Sequence, residues 1–288
     1  GLHSLQYRGQ ESAGIVTSHY DKDKERMVMP SYKDFGLVLS VFDKPKIMNK
    51  ILKGRSAIGH NRYSTSGSSK NPANIQPFRV HYRNGNLAIA HNGNLSNAKQ
   101  IRSRFRKEGV LFQSTSDTEL ILHLISHSLK QDQMGQIIDA LHQIEGAYCL
   151  VILADDKLIG VRDPNGFRPL ALGKKDGKFC LASETCAFDI NNAEYIRDVE
   201  PGEVVVIDQE ASDSGEVKSY FIEPKEGTKT SQCIFEYVYF SRPDSMIFGE
   251  MVDKIRRNLG QALAKEHPID EVVTIKDSKK KPVIYFSS

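Results

Sequence analysis

The chain has 288 residues, 39 Lys and Arg against 36 Asp and Glu, a net charge of +3 and 26% charged residues. So mixed a composition excludes a disordered or collagen-like polypeptide, and the length suits one large core or two modest ones. Lys276, Lys279, Lys280 and Lys281 less Asp277 account for the whole +3, so the rest of the chain is neutral. No basic face for nucleic acid is expected.

Four cysteines, at 149, 180, 186 and 233, form no Cys-x-x-Cys pair. A reducing, cytoplasmic setting follows more simply than a disulfide framework. No run reaches the roughly 18 to 20 apolar residues that cross a bilayer, and Gly1 to Gln10 lacks the basic and apolar regions of a signal peptide. Neither a membrane nor a nucleic acid is an expected partner.

In chain order, the apolar runs predict strands at Ala13–Thr17, Ala57–His60, Phe78–Tyr82 and Leu87–His91. Further strands are expected at Ala147–Ala154, Leu158–Arg162, Phe179–Ala182 and Glu203–Ile207. Asn84-Gly85, Asn92-Gly93, Asn165-Gly166 and Asp176-Gly177 read as tight turns between them, because these pairs reach positive φ cheaply. Leu95, Ala98, Ile101 and Phe105, followed by Gly109, predict an amphipathic helix with a C-terminal stop. A second helix begins at Ser116, which with Glu119 suggests a capping box, and buries Leu120, Ile121, Leu124 and Ile125. Met251, Ile255, Leu259 and Leu263 predict a third helix ending before Pro268, with a strand at Glu271–Ile275. A layered α+β domain through about residue 230 is the fold class these elements support.

Five polar clusters interrupt this pattern: Tyr7 to Gly14, Gly59 to Thr65, Ala90 to Asn94, Ser114 to Glu119, and Arg162 to Pro169. Each, taken alone, also reads as a turn or a cap. Arg62 differs, because it closely follows the apolar run Ala57-Ile58-Gly59 and its planar fork suits a carboxylate. Asp117, in the first turn of its helix, has the charge to hold an ammonium, and the two together would grip an α-amino acid at both ends. The alternative is a helix-cap Asp and a structural Arg. Asn92 and Gly93 supply a side-chain amide and a backbone N–H suited to an oxyanion hole, or equally to a hairpin. His123 and His127, four apart on a helix, lack a Glu between them and a third ligand, so a structural role is expected. Cys149 reads as a small core residue, and no phosphate-binding glycine loop is present.

The clusters Arg8 to Gly14, Gly59 to Ser64, His91 to Asn94, Thr115 to Glu119 and Ser183 to Cys186, followed by Tyr237 to Ser245, closely resemble the glutamine-dependent amidophosphoribosyltransferases of de novo purine synthesis. Order and spacing agree over about 270 residues. The resemblance implies an N-terminal-nucleophile hydrolase fold, a four-layer αββα sandwich, that releases ammonia from L-glutamine. The ammonia would reach a phosphoribosyltransferase domain and displace pyrophosphate from phosphoribosyl pyrophosphate, giving 5-phosphoribosylamine. By matching motifs, Arg62 would hold the α-carboxylate and Asp117 the α-amino group. Asn92 and Gly93 would form the oxyanion hole, while Arg8 and Gly9 shape the pocket.

The family's nucleophile is an N-terminal cysteine, the match to which lies before Gly1, so turnover by residues 1–288 alone is expected to be at most a trace. Residues 1–230 would form the glutaminase domain, 231–275 a linker with the first helix and strand of an incomplete α/β phosphoribosyltransferase domain, and 276–288 a divergent tail. The family's acidic pyrophosphate-ribose loop does not follow Val273. Cys233 aligns with a ligand of a [4Fe-4S] cluster found in some members, and Mg²⁺ would serve phosphoribosyl pyrophosphate chemistry; neither is expected in this stretch. A homo-oligomer is implied. Two other readings stand beside this one: a glutamine-binding or assembly pseudoenzyme, and another class II amidotransferase of the glucosamine-6-phosphate synthase type.

Overall fold

The computed structural model describes residues 1–63 and 71–268. A short 3-10 segment, His3–Arg8, leads into strand β1 (Ser12–Asp21), the axis of a first sheet. β1 pairs antiparallel with β2 (Arg26–Val28) and β3 (Ser31–Phe35), and on the edge opposite β3 with β4 (Ser56–Arg62). One turn of helix, α1 (Val38–Val41), packs its two valines on Ala13.

The largest sheet uses β5 (Phe78–Tyr82), β6 (Gly85–Leu95), β7 (Gly146–Ala154), β8 (Lys157–Arg162), β12 (Glu203–Ile207) and β13 (Lys218–Phe221). Their order is β13-β12-β8-β7-β6-β5, antiparallel throughout. β9 (Ala171–Lys175), β10 (Lys178–Ala182) and β11 (Glu194–Asp198) form a separate three-stranded sheet with β9 in the middle.

Period-two alternation explains why the central strands read as nearly unbroken apolar runs, since both of their faces are buried. In β7, Leu150 and Ile152 join the core beneath helices α2 (Ala98–Lys107), α3 (Thr118–His127) and α4 (Gln133–Leu141). Cys149, Val151 and Leu153 point the other way, toward the two smaller sheets. Val204 and Val206 against Val205 and Ile207 divide β12 in the same manner. Helices α5 (Cys186–Asp189), α6 (Gln209–Ser214) and α7 (Val252–Glu266) lie outside this core.

Eight of the nine expected strands and the three expected helices are present, but several details differ. Asn92-Gly93 makes no turn: β6 runs through it, pairing Asn92 with Cys149 and Gly93 with Tyr148. The expected capping box is displaced as well. Glu119 accepts hydrogen bonds from the Gln113 and Ser114 N–H groups and the Ser114 hydroxyl, upstream of Ser116, whose own Oγ accepts from Thr118 N at 3.3 Å. The strands β2, β3, β9, β11 and β13 carry no clear apolar pattern, whereas α4, not among the expected helices, has Met134, Ile137, Ile138 and Leu141 at helical spacing and is fixed at its start by Asp132, which accepts from Gly135 N at 2.8 Å. The expected strand at Glu271–Ile275 and the tail 276–288 lie outside the described residues.

Candidate active site

Three segments that are distant in sequence converge on one cavity of about 140 Å³. The end of β4 supplies Gly59 through Arg62, β6 supplies His91, Asn92 and Gly93, and the turn into α3 supplies Ser116 and Asp117. The N-terminal 3-10 segment adds Leu5 and Arg8, and Leu2 precedes it; Gln76, Arg168, Ser183 and Phe240 complete much of the wall. Arg62, Asp117, Asn92, Gly93 and Arg8 therefore meet in one place.

Strand pairing positions Arg62: it ends β4 opposite Ser12, its backbone carbonyl accepts from Glu11 N, and its Nη1 lies 3.6 Å from Glu11 Oε2. Asp117 is held by Leu95, whose N–H donates to Oδ2 at 3.0 Å, and its Oδ1 is 3.7 Å from His91 Nδ1. An Arg and an Asp thus stand in one wall with opposite charge, the arrangement an α-amino acid zwitterion requires.

Asn92 presents a buried side-chain Nδ2 with no hydrogen-bond partner, a donor suited to a carbonyl oxygen. Its neighbour must be glycine. Gly93 has φ +151°, and a Cβ there would lie 2.0 Å from the Ala147 carbonyl oxygen of β7. Gly9 does not line the cavity. A Cβ on it would sit 2.6 Å from the backbone of Asn61 and Arg62, so its bareness lets the N-terminal segment press on β4.

Several wall residues were not singled out from sequence. His60 Nε2 lies 3.2 Å from the His91 carbonyl, so this nitrogen carries the proton, and burial lowers the imidazole pKa to about 4. His91 is likewise pushed down by burial, with Asp117 partly restoring it. Gln76 Oε1 accepts from His91 N at 2.8 Å. These contacts hold His91 by its N–H and by its carbonyl, fixing the backbone on both sides of the residue that precedes Asn92. Behind Arg8 lie Glu184 and Glu236, both fully buried, and Glu236 also takes Arg168 at 2.9 Å. Burial opposes the charge on Arg8, but Glu236 and Glu184 outweigh it and hold its pKa above the ordinary value.

No cysteine lines the cavity: the four thiols are elsewhere, and burial raises the pKa of Cys149, Cys180 and Cys186. His123 and His127 pack on Phe105 with ring centroids 5.7 and 5.0 Å away. Among the described residues no three His, Cys, Asp or Glu side chains stand together as metal ligands, and no helix is long and apolar enough to cross a membrane.

Residues 60–189, which carry most of this wall, match a family described as a glutamine amidotransferase domain. The chain is 46% identical over 280 residues to amidophosphoribosyltransferase 1, chloroplastic, of Arabidopsis thaliana, covering 96% of this chain and 47% of that protein. It is 42% identical to the Bacillus subtilis amidophosphoribosyltransferase over 95% of this chain and 55% of that one. This chain belongs to the amidophosphoribosyltransferase family. Its backbone superimposes with TM-score 0.82 on a Bacillus subtilis glutamine phosphoribosylpyrophosphate amidotransferase solved with ADP and GMP, at 41% identity over 93% of this chain and 55% of that one. A second solved structure, described as the allosteric regulatory enzyme of purine biosynthesis, gives TM-score 0.83 at the same identity. The fold is accordingly the N-terminal-nucleophile hydrolase sandwich of glutamine amidotransferases.

The chain spans about half the length of the amidophosphoribosyltransferases it matches. Cys233 is partly exposed with its N–H donating to the Phe167 carbonyl, and it has no companion ligands among the described residues.

Proposed function

We propose that this chain is the glutamine-handling part of an amidophosphoribosyltransferase of de novo purine synthesis. Arg62 takes the α-carboxylate of L-glutamine by charge-assisted hydrogen bonds, and Asp117 takes the α-ammonium. The side chain then extends toward Asn92, whose unpartnered Nδ2, with the Gly93 N–H, receives the carbonyl oxygen as attack on the carboxamide carbon makes it an oxyanion. In the whole protein the attacking group would be the family's N-terminal cysteine thiol, deprotonated by its own α-amino group. Collapse of the tetrahedral centre, with that proton passed to the leaving nitrogen, would expel ammonia and leave a γ-glutamyl thioester that water hydrolyses to glutamate and the free thiol. In the whole protein ammonia would replace pyrophosphate on phosphoribosyl pyrophosphate, with Mg²⁺ at that second centre, to give 5-phosphoribosylamine.

One observation carries this reading: a guanidinium, a carboxylate and an unpartnered carboxamide donor from three separate segments face one cavity of amino-acid size. Because no thiol lines it, residues 1–288 should hold glutamine without normal turnover.

Calorimetric titration of the 288-residue chain with L-glutamine tests the reading. Arg62→Lys and Asp117→Asn should each weaken binding about 10 to 100-fold, the value of a charged hydrogen bond. Equal affinity in all three proteins would refute the assignment. A covalent adduct with an electrophilic diazoketone analogue of glutamine would refute the expected lack of turnover.

A further inference from the structure

Three arginines, Arg8, Arg62 and Arg168, line the cavity against a single carboxylate among its described lining residues, Asp117. A bound amino acid uses Arg62 and Asp117 for its own two charges, on the reading proposed above. Arg8 and Arg168 remain. Two uncompensated cations in the same cavity would favour the γ-carboxylate of glutamate over the neutral carboxamide of glutamine.

The compensation lies one layer deeper. Glu236 accepts from Arg8 Nη1 at 2.9 Å and Nη2 at 3.0 Å, and from Arg168 Nη1 at 2.9 Å. Glu184 pairs with Arg8 and is itself held by Ser245 Oγ at 2.7 Å and Arg242 N at 3.0 Å. Both side chains are shielded from solvent, where opposite charges cancel each other more effectively than at a surface. Two arginines meet two glutamates, so the buried group is electrically neutral.

Glu236 is not a casual partner. Ser241 Oγ donates to its Oε2 at 2.9 Å, and Phe240, in the same segment, stacks on Arg168 at 4.5 Å and lines the cavity. Arg256 of α7 anchors that segment by donating to the carbonyls of Tyr237 at 2.6 Å and Ser241 at 2.8 Å. The carboxylate is therefore placed by elements on both of its sides.

We infer that Glu236, with Glu184 behind it, is a specificity-determining residue: by neutralising Arg8 and Arg168 it makes the cavity select glutamine and release glutamate, the product of amide hydrolysis. It touches no substrate atom and acts through the two arginines.

The test compares dissociation constants for L-glutamine and L-glutamate on the 288-residue chain and two variants, with folding checked by circular dichroism. Glu236→Gln leaves one arginine uncompensated and should shift the preference toward glutamate by about tenfold, equivalent to about 1.4 kcal/mol. Arg168→Gln, on the more accessible partner, removes a cation while Glu236 stays and should shift the preference toward glutamine; it keeps the test decisive if the buried substitution unfolds the chain. A purely structural role would weaken both ligands together and leave their ratio alone. An unchanged ratio in a folded variant that still binds glutamine overturns this inference alone. A wild-type chain that binds neither amino acid overturns the glutamine reading, and this inference with it.

Discussion

Replacing Gly93 by alanine is the sharpest local perturbation of the proposed oxyanion site. The added Cβ would sit 2.0 Å from the Ala147 carbonyl oxygen, 2.7 Å from its carbon and 2.9 Å from His91 Nε2. Relief requires β6 and β7 to separate where Gly93 faces Tyr148, because the obstacle is backbone and cannot rotate away. Overpacking of this kind costs about 1–3 kcal/mol. The positive φ of +151° adds about 1–3 kcal/mol more for a residue with a side chain. A loss of about 2–6 kcal/mol is therefore expected in urea unfolding, with glutamine affinity falling even where the protein remains folded. Gly109→Ala is the control: its φ is +81°, but nothing lies within 4 Å of the new Cβ, so only the backbone contribution remains. If Gly93→Ala proves no more costly than Gly109→Ala, the close approach of β7 to the site is wrong.

Three further expectations concern the same frame. His60 has a folded pKa of about 4 against an ordinary value near 6.5, so the unfolded chain binds more protons between these values. Stability should then fall by about 3 kcal/mol from this residue as the pH drops from about 6.5 to about 4, and His60→Gln should flatten that part of the profile; an imidazole titrating near pH 6.5 by NMR would contradict this. Glu119 is opposed by burial but held down by His123 and by the N–H groups of Gln113 and Ser114, to a pKa of about 2. Its contribution is present above the unfolded value near 4.5 and is lost as the pH falls from there to about 2, so Glu119→Gln should abolish that dependence in acid-unfolding curves. Ile121→Ala, at a fully buried position beneath the main sheet, should cost about 2–5 kcal/mol in thermal or urea unfolding while leaving glutamine affinity of the folded fraction unchanged.

Much of the site could be read from residue types, because Arg62, Asp117 and the Asn92-Gly93 pair each fall where the apolar pattern breaks. Their meeting in one cavity could not, since spacing says nothing about which strand ends converge. The resemblance to a known family supplied that step. Asn92-Gly93 shows the limit of local rules: the pair that elsewhere makes hairpins here lies inside an 11-residue strand, and the glycine answers a neighbouring backbone instead of a turn. Glu184 and Glu236 were invisible as partners of Arg8 because 176 and 228 residues separate them from it. Strands β3, β11 and β13 alternate weakly because they are largely exposed or half-buried edges, so burial left no imprint on their composition. The capping box missed by two residues because Ser114, rather than Ser116, met the Glu119 carboxylate.

A crystal structure of the chain with bound L-glutamine tests the central claim most directly. The account predicts the α-carboxylate within hydrogen-bond distance of Arg62, the α-ammonium on Asp117, and the side-chain carbonyl oxygen on Asn92 Nδ2. Glutamine seated outside this cavity, or inside it with the carboxylate turned away from Arg62, would contradict the account.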